Sequence, residues 1–226
     1  MPKYIRDLTV KSVDRIGDRY VHLKLTDAQP LPGQMSPGQF AEIRIDGEPS
    51  TFLRRPISIN LFDADSNELW LLVALVGAGT RHLGLLRSGD RLNCVLPLGN
   101  TFHCDYAHDR RVLLVGGGVG VAPLLYMGYE MKRRGLSPTF LLGARTAKDL
   151  LLLNYFEQMG TVLVTTEDGS GGEQGFVTNH SVLQQEPFDR ILTCGPTPMM
   201  KAVARYADSR GIDCQASLEN MMACGL

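Results

Sequence analysis

A chain of 226 residues is long enough for one large or two ordinary domains, and a composition 44% hydrophobic and 21% charged is globular, not disordered. A net charge of -1 supplies no field to gather nucleic acid or an anionic membrane, so neither is expected as a partner. The five cysteines, Cys94, Cys104, Cys194, Cys214 and Cys224, are odd in number and contain no C-x-x-C pair, which argues against a disulfide framework.

The amino terminus, MPKYIRDLTV, carries Lys3, Arg6 and Asp7 and no apolar core of an export signal, so a cytoplasmic location is expected. From Tyr4 to about Phe102, the β-type runs RYVHLKL, FAEIRI, PISIN, ELWLLVAL and RLNCVL are separated by the turn-rich segments PGQMSPG, DGEP, DADSN and RSGD. Such spacing predicts an antiparallel barrel or sandwich. For Arg54 and Arg55 the alternative to a binding role is a solvated pair at a strand end, and Gly77 to Thr80, taken alone, read as a plain hairpin turn.

Around Ala107 the stretch HCDYAHD has neither a strand nor a helix period, and a domain boundary is placed there. Beyond it, Val112 to Val115 form an uninterrupted aliphatic run, as a parallel strand covered on both faces requires. Gly116, Gly117, Gly118 and Gly120 follow, and Pro123 sits where a first helical turn tolerates a missing N–H. Two readings of the glycines stand side by side: a loop whose bare backbone N–H groups approach a pyrophosphate, and a tight turn that packs a helix on a strand and binds nothing. The G-x-G-x-x-G fingerprint is not literally matched. A membrane span is excluded, because the stretch between Arg111 and Glu130 is too short and is broken by glycines and proline.

The remaining elements follow in α/β order: a helix from Pro123 to Arg134 closed by Gly135, the strand TFLLG, and a helix opened by Thr146 with Asp149 as a capping-box partner. Next come TVLVTT, the loop EDGSGGEQG, a short helix near Thr178 to Gln184, the strand RILTC, a helix from Met199 to Ser209, and DCQASLE. This half is predicted to be a parallel α/β sheet. Cys194, Gly195 and Pro196 fall at a strand's carboxyl end, where open α/β sheets place ligands; taken alone, Cys194 reads as a small core residue. Asn60, His82, Asn100, His103 and His108 have no constellation around them, Glu167 and Asp168 read as a solvated loop, and no Ser, His and Asp set or H-E-x-x-H motif occurs.

The order R-P-x-S, G-x-G-T, glycine loop and C-G-P resembles the ferredoxin-NADP reductase superfamily. Within it, LRRPISI at Leu53 to Ile59, GGGVGVAPL at Gly116 to Leu124 and the ending SLENMMACGL resemble the electron-transfer subunit of bacterial class 1B dihydroorotate dehydrogenase. The resemblance implies a two-domain protein: an antiparallel β-barrel FAD domain over residues 1–107, then an α/β parallel-sheet nucleotide-binding domain over 108–216. The start of a [2Fe-2S]-binding segment follows at 217–226.

By the same resemblance Arg55 meets the FAD pyrophosphate and Ser58 lies by the flavin ring, with Pro56 and Ile57 completing the motif. Many relatives carry tyrosine at the position of Ile57. Leu72, Val73 and Ala74 lead to a second phosphate segment at Gly77, Gly79 and Thr80. Gly116, Gly117, Gly118, Val119 and Gly120 hold NAD, and Cys194, Gly195 and Pro196 lie at the nicotinamide, so Ser58 and Cys194 are the residues expected at the reacting rings. Cys224 matches the first cluster ligand. Because plant-type clusters need four cysteines opening C-x4-C-x2-C, the natural chain is expected to continue past Leu226.

The function implied is an enzyme subunit that accepts hydride from NADH on FAD and passes electrons through the [2Fe-2S] cluster to the FMN of a dihydroorotate dehydrogenase catalytic subunit, in a two-plus-two heterotetramer serving pyrimidine biosynthesis. NAD is expected over NADP, although Arg145 follows LLGA where an arginine for a 2′-phosphate would stand. Two alternatives are a flavin reductase-type subunit of another complex, such as NADH-dependent ferredoxin-NADP oxidoreductase or sulfide dehydrogenase, and a non-enzymatic nucleotide-binding assembly module. The latter would need the glycine loop but not R-P-x-S and G-x-G-T together.

Overall fold

A computed structural model describes residues 2–32, 35–185 and 188–218. The chain divides into two compact units, one running to Thr101 and the other beginning at Phe102.

Six strands make the first unit: β1 (Tyr4–Ile16), β2 (Tyr20–Thr26), β3 (Phe40–Ile43), β4 (Arg55–Asp63), β5 (Glu68–Ala74) and β6 (Arg91–Leu98). They close into an antiparallel barrel in the order β1-β2-β5-β4-β3-β6, which leaves no open sheet edge. Period-two alternation fills it: Val21, Leu23 and Leu25 of β2, Ile57 and Ile59 of β4, and Leu69, Leu71 and Val73 of β5 are buried. The first strand went unread among the β-type runs. Its charged residues Arg6, Asp7, Lys11, Asp14 and Arg15 mask a 13-residue element that pairs with β6 along its first half and β2 along its second. Along β4 the register passes from Ile59↔Leu71 to Leu61↔Trp70, a shift that falls at Asn60. Its side-chain oxygen is 3.0 Å from His22 Nε2, and both residues are buried.

The segment expected as a hairpin turn at Gly77 to Thr80 instead leads from β5 into a short helix, α1 (Ala78–Leu83). Thr80 decides this locally: its hydroxyl accepts from the N–H groups of Val76 and Gly77 at 3.1 and 3.0 Å, which curls the chain into a helical turn.

The second unit is a six-stranded parallel sheet of order β10-β9-β8-β7-β11-β12, formed by β7 (Val112–Gly117), β8 (Thr139–Ala144), β9 (Thr161–Thr166), β10 (Glu173–Gln174), β11 (Arg190–Cys194) and β12 (Asp213–Ala216). Helix α2 (Ala122–Arg133) ends as the sequence predicts: Gly135, at φ +75°, lets its own N–H reach Lys132 C=O while the Leu136 N–H reaches Met131 C=O. One face of the sheet receives α2 and α3 (Leu153–Met159), with Phe140 and Phe156 in edge contact at 4.9 Å. On the other face, Leu113, Val115, Leu141 and Ile191 pack with Val177, Leu183 and residues Val203 and Ala207 of α4 (Thr197–Ser209). The aperiodic stretch before β7 is tied to this unit, since Gln215 bonds both backbone groups of His103 and Asp109 pairs with Arg190.

Two helices expected from sequence are shorter than predicted. Thr146 and Asp149 do pair, at 3.3 Å, but side chain to side chain, with no side-chain cap bond from Thr146 to the single 3-10 turn that follows; Leu150 is already extended, Leu152 turns left-handed at φ 58°, and α3 begins only afterwards. The helix expected near Thr178 to Gln184 is two 3-10 turns, Val177–Asn179 and Ser181–Gln184. Among the described residues no helix is long and apolar enough to cross a membrane.

Candidate functional site

In the barrel the two arginines that precede PISIN separate in role. Arg54 donates from Nη1 to the carbonyls of Glu42 and Asn93 and from Nη2 to the Asn93 side chain, which in turn donates to Asp7; it ties three strands together. Arg55 opens β4 and is half-buried, and its Nε is buried with no hydrogen-bond partner. A guanidinium N–H shut away from water without an acceptor is costly unless something supplies one.

A glycine lets two chain segments close on that nitrogen. A Cβ on Gly79 would lie 2.9 Å from Thr51 Cγ2 and 3.4 Å from Arg55 Nε, so the β5–α1 turn and the start of β4 meet at Arg55 with backbone alone on one side. Burial pushes the Glu42 carboxyl above its ordinary value, and the charges of Arg54 and Arg55 oppose that rise. Of the other residues singled out here, Pro56 is exposed, Ser58 is half-buried opposite Phe40, and Ile57 is buried. Leu72 and Val73 are buried in β5, and Ala74 pairs with Tyr20. The Thr80 hydroxyl is used inside its own turn.

At the carboxyl edge of the parallel sheet the site is built of backbone. Strands β7 and β11 are neighbours with Gly116 opposite Cys194, which brings the glycine loop against Cys194, Gly195 and Pro196. A Cβ on Gly120 would lie 2.4 Å from Gly195 Cα, and one on Gly195, at φ +150°, would lie 2.9 Å from Gly117 O. A Cβ on Gly116 would press at 2.8 Å on Leu124 of α2, and one on Gly117 at 2.9 Å on Met199 Sδ. Packing therefore bears on three of the four loop glycines, on Gly120 through backbone and on Gly116 and Gly117 through side-chain ends, while Gly118, at φ +56° with nothing within 4 Å of its missing Cβ, is the one that faces open space. Val119 is half-buried, Cys194 is buried and Pro196 is exposed.

Sequence reasoning missed three neighbours. Thr51 and Met199 carry no local signal, whereas Gly143, at the end of β8, stands opposite Gly117 and closes the TFLLG run that was read only as a strand. The turn after β9 is also clipped to the turn after β8, by Glu167 N–H to Ala144 C=O at 3.1 Å and Asp168 N–H to Arg145 C=O at 3.2 Å. Glu167 and Asp168 thus stand beside Arg145 at the same sheet edge. The Asp168 carboxyl is held below its ordinary range by the Ser170 hydroxyl and N–H.

Cysteines Cys94, Cys104, Cys194 and Cys214 form no disulfide. Burial pushes the Cys94 and Cys104 thiols up to about 12, which disfavours the thiolate a metal would need. Among the described residues no group of three or more Cys, His, Asp or Glu is placed to hold a metal. Cys224 lies outside the described residues.

Residues 114–205 match the oxidoreductase NAD-binding domain family. Over 192 residues the chain is 41% identical to the dihydroorotate dehydrogenase B (NAD(+)) electron transfer subunit of Shouchella clausii, covering 84% of this chain and 73% of that protein. It is 36% identical over 222 residues to the subunit of the same name in Listeria monocytogenes, covering 97% and 85%. Among solved structures, a chain of an NADH-dependent reduced ferredoxin-NADP oxidoreductase is 29% identical with a TM-score of 0.82, over 96% of this chain and 78% of that one. A ferredoxin NADP+ reductase from Neisseria gonorrhoeae with bound FAD and NADP, 14% identical over 95% and 99% of the two chains with a TM-score of 0.78, shares the fold.

Proposed function

We propose, from the premise that this chain belongs to the family of electron transfer subunits of dihydroorotate dehydrogenase B (NAD(+)), that its barrel binds FAD and its α/β unit NADH, and that it delivers electrons to a dihydroorotate dehydrogenase catalytic subunit. When bound, the nicotinamide supplies a hydride and the flavin accepts it. The observation that carries the reading is the buried Arg55 Nε beside the turn at Gly79: a phosphate oxygen there would satisfy a guanidinium N–H that has no acceptor among the described residues.

From that anchor the roles of the other residues follow as proposals. The Ser58 hydroxyl, further along β4, bonds the flavin ring. Pro56, Ile57 and the segment Leu72 to Thr80 form the wall around the cofactor, with Ile57 giving an aliphatic contact where many relatives carry an aromatic one. Gly118 presents its backbone to the NAD pyrophosphate, Gly116, Gly117, Val119 and Gly120 shape that loop, and Cys194, Gly195 and Pro196 exclude water at the nicotinamide.

The described residues do not fit a [2Fe-2S] cluster, since none of their four cysteines belongs to a group placed to hold a metal and three of them are buried. A cluster between FAD and the partner's FMN is proposed on the resemblance of SLENMMACGL alone, with Cys224 as its first ligand. The two-plus-two assembly, the FMN of the partner and the cytoplasmic location belong to the same proposal.

The test is purification of the chain with FAD and addition of NADH. Flavin absorption near about 450 nm that bleaches on NADH supports the reading; colourless protein that stays inert after FAD is added overturns it. A second reading, a subunit of a ferredoxin-NADP oxidoreductase complex, is favoured by the 29% identity over 96% of the chain to such a structure. Electron delivery to a dihydroorotate dehydrogenase catalytic subunit, or its failure with delivery to ferredoxin instead, decides between them.

A further inference from the structure

We propose that Phe52 is a cofactor-positioning residue, its ring forming the platform on which the adenine of FAD stacks. The inference rests on the reading of the barrel as the FAD site and deepens it. Phe52 is 95% exposed, the most exposed of the large hydrophobic side chains described, and its neighbours in the loop are held by contacts of their own. The Thr51 N–H bonds Glu48 C=O at 3.0 Å, the Thr51 methyl fills the place beside Gly79, and Gly47, at φ +85°, lies against the His82 ring of α1. The ring therefore stands in water on a prepared support, so little ordering opposes binding at it.

Its position selects the occupant. In β4 Arg55 precedes Ser58, so a dinucleotide with its pyrophosphate at Arg55 and its flavin at Ser58 has its other end on the N-terminal side of Arg55, where Phe52 and Leu53 lie. Leu53 is 54% exposed, and Val76, one residue before Gly77, is 78% exposed, so the apolar surface borders both chain segments that meet at Arg55. The acids of the loop are turned to other partners: Asp46 pairs with Arg44, and Glu48 accepts from the Ser50 N–H and hydroxyl. What remains is an uncharged aromatic face beside a phosphate-fitting cation, which suits the purine of a nucleotide.

The discriminating ligand pair is FAD and FMN, because FMN lacks the AMP half. With the full chain freed of flavin and retitrated by flavin fluorescence, Phe52→Ser is expected to weaken FAD by about 5- to 100-fold, the range of a lost aromatic–base stack, and to leave FMN unchanged. Phe52→Trp is expected to restore FAD affinity. Because the side chain is exposed, the melting temperature is expected to stay that of the parent protein. An unchanged FAD affinity in Phe52→Ser, or an equal loss for FAD and FMN, overturns the inference and leaves the ring to a protein-facing surface. A parent chain that binds neither flavin overturns the barrel reading itself and the inference with it.

Discussion

In the barrel, the candidate site is a side-chain group, the Arg55 Nε, buried without a hydrogen-bond partner among the described residues where Gly79 and Thr51 close on it, and the surrounding strands hold buried polar pairs such as His22 with Asn60. In the α/β unit the candidate site has almost no side chains: Gly117, Gly120 and Gly195 press backbone on backbone at the ends of parallel strands. The difference teaches where each unit is vulnerable. Removing a side chain from the first should cost ligand and spare the fold, whereas adding a single methyl to the second should cost the fold before the ligand is reached.

The sharpest break is Gly120→Ala. Its Cβ would lie 2.4 Å from Gly195 Cα and 2.7 Å from the Cys194 carbonyl carbon, and backbone cannot rotate away as a side chain would. A loss of about 3 kcal/mol or more is expected. Trp70, the chain's single tryptophan, lies in β5, so its fluorescence reports the barrel alone. The far-UV transition, dominated by α2, α3 and α4, is expected to fall while the Trp70 transition holds. An equal shift in both would show that the units unfold as one.

The barrel has its own sensitivity, to acid. Burial, with the Lys24 charge beside it, lowers the His22 pKa from 6.5 to about 4. The folded state thus takes up its proton later than the unfolded state as pH falls, so stability is full above about pH 6.5 and declines toward pH 4. The expected loss is about 3 kcal/mol across that window. Urea titrations read by Trp70 fluorescence should show it, and His22→Gln should flatten the slope. A parent profile flat from pH 7 to 4 would refute the assignment.

The two arginines sharpen the contrast within one unit. Arg55→Ala is expected to weaken FAD by about 2 kcal/mol, the scale of a charged hydrogen bond, with the Trp70 transition nearly unmoved. Arg54→Ala removes donors from two backbone carbonyls and Asn93, and should lower barrel stability by about 1–3 kcal/mol with FAD retained. Flavin content per chain and the melting curve of each variant check both outcomes; exchange of the two phenotypes would place the phosphate at Arg54.

The smallest expected effect is at the edge of the sheet. NADH should reduce the flavin with a higher second-order rate than NADPH, because Glu167 and Asp168 stand beside Arg145 and oppose a 2′-phosphate. Arg145→Gln should change the NADPH rate by about fivefold or less, since an exposed charge pair contributes roughly 0–1 kcal/mol. Rapid-mixing reduction decides it, and a faster rate with NADPH would reverse the order.

The sequence alone determined what depends on neighbours along the chain. The runs VLLV, TFLLG, TVLVTT and RILTC are legible because a parallel strand buried on both faces has to be apolar throughout, and α2 is legible because Pro123 and Gly135 punctuate its ends. Tertiary structure decided what depends on residues far apart. β1 exists because β2 and β6 both pair with it, although its charges hide its pattern. Thr146 and Asp149 meet side chain to side chain and still open only a 3-10 turn, because the chain is extended again at Leu150. The meeting of Thr51, Arg55 and Gly79, and of Gly120 with Gly195, is set by which strands lie side by side. A glycine in the sequence says only that a side chain is missing. Whether that place is taken by a side chain, as Thr51 takes it at Gly79, or by another stretch of backbone, as at Gly120, depends on the atom that the fold places 3 Å away.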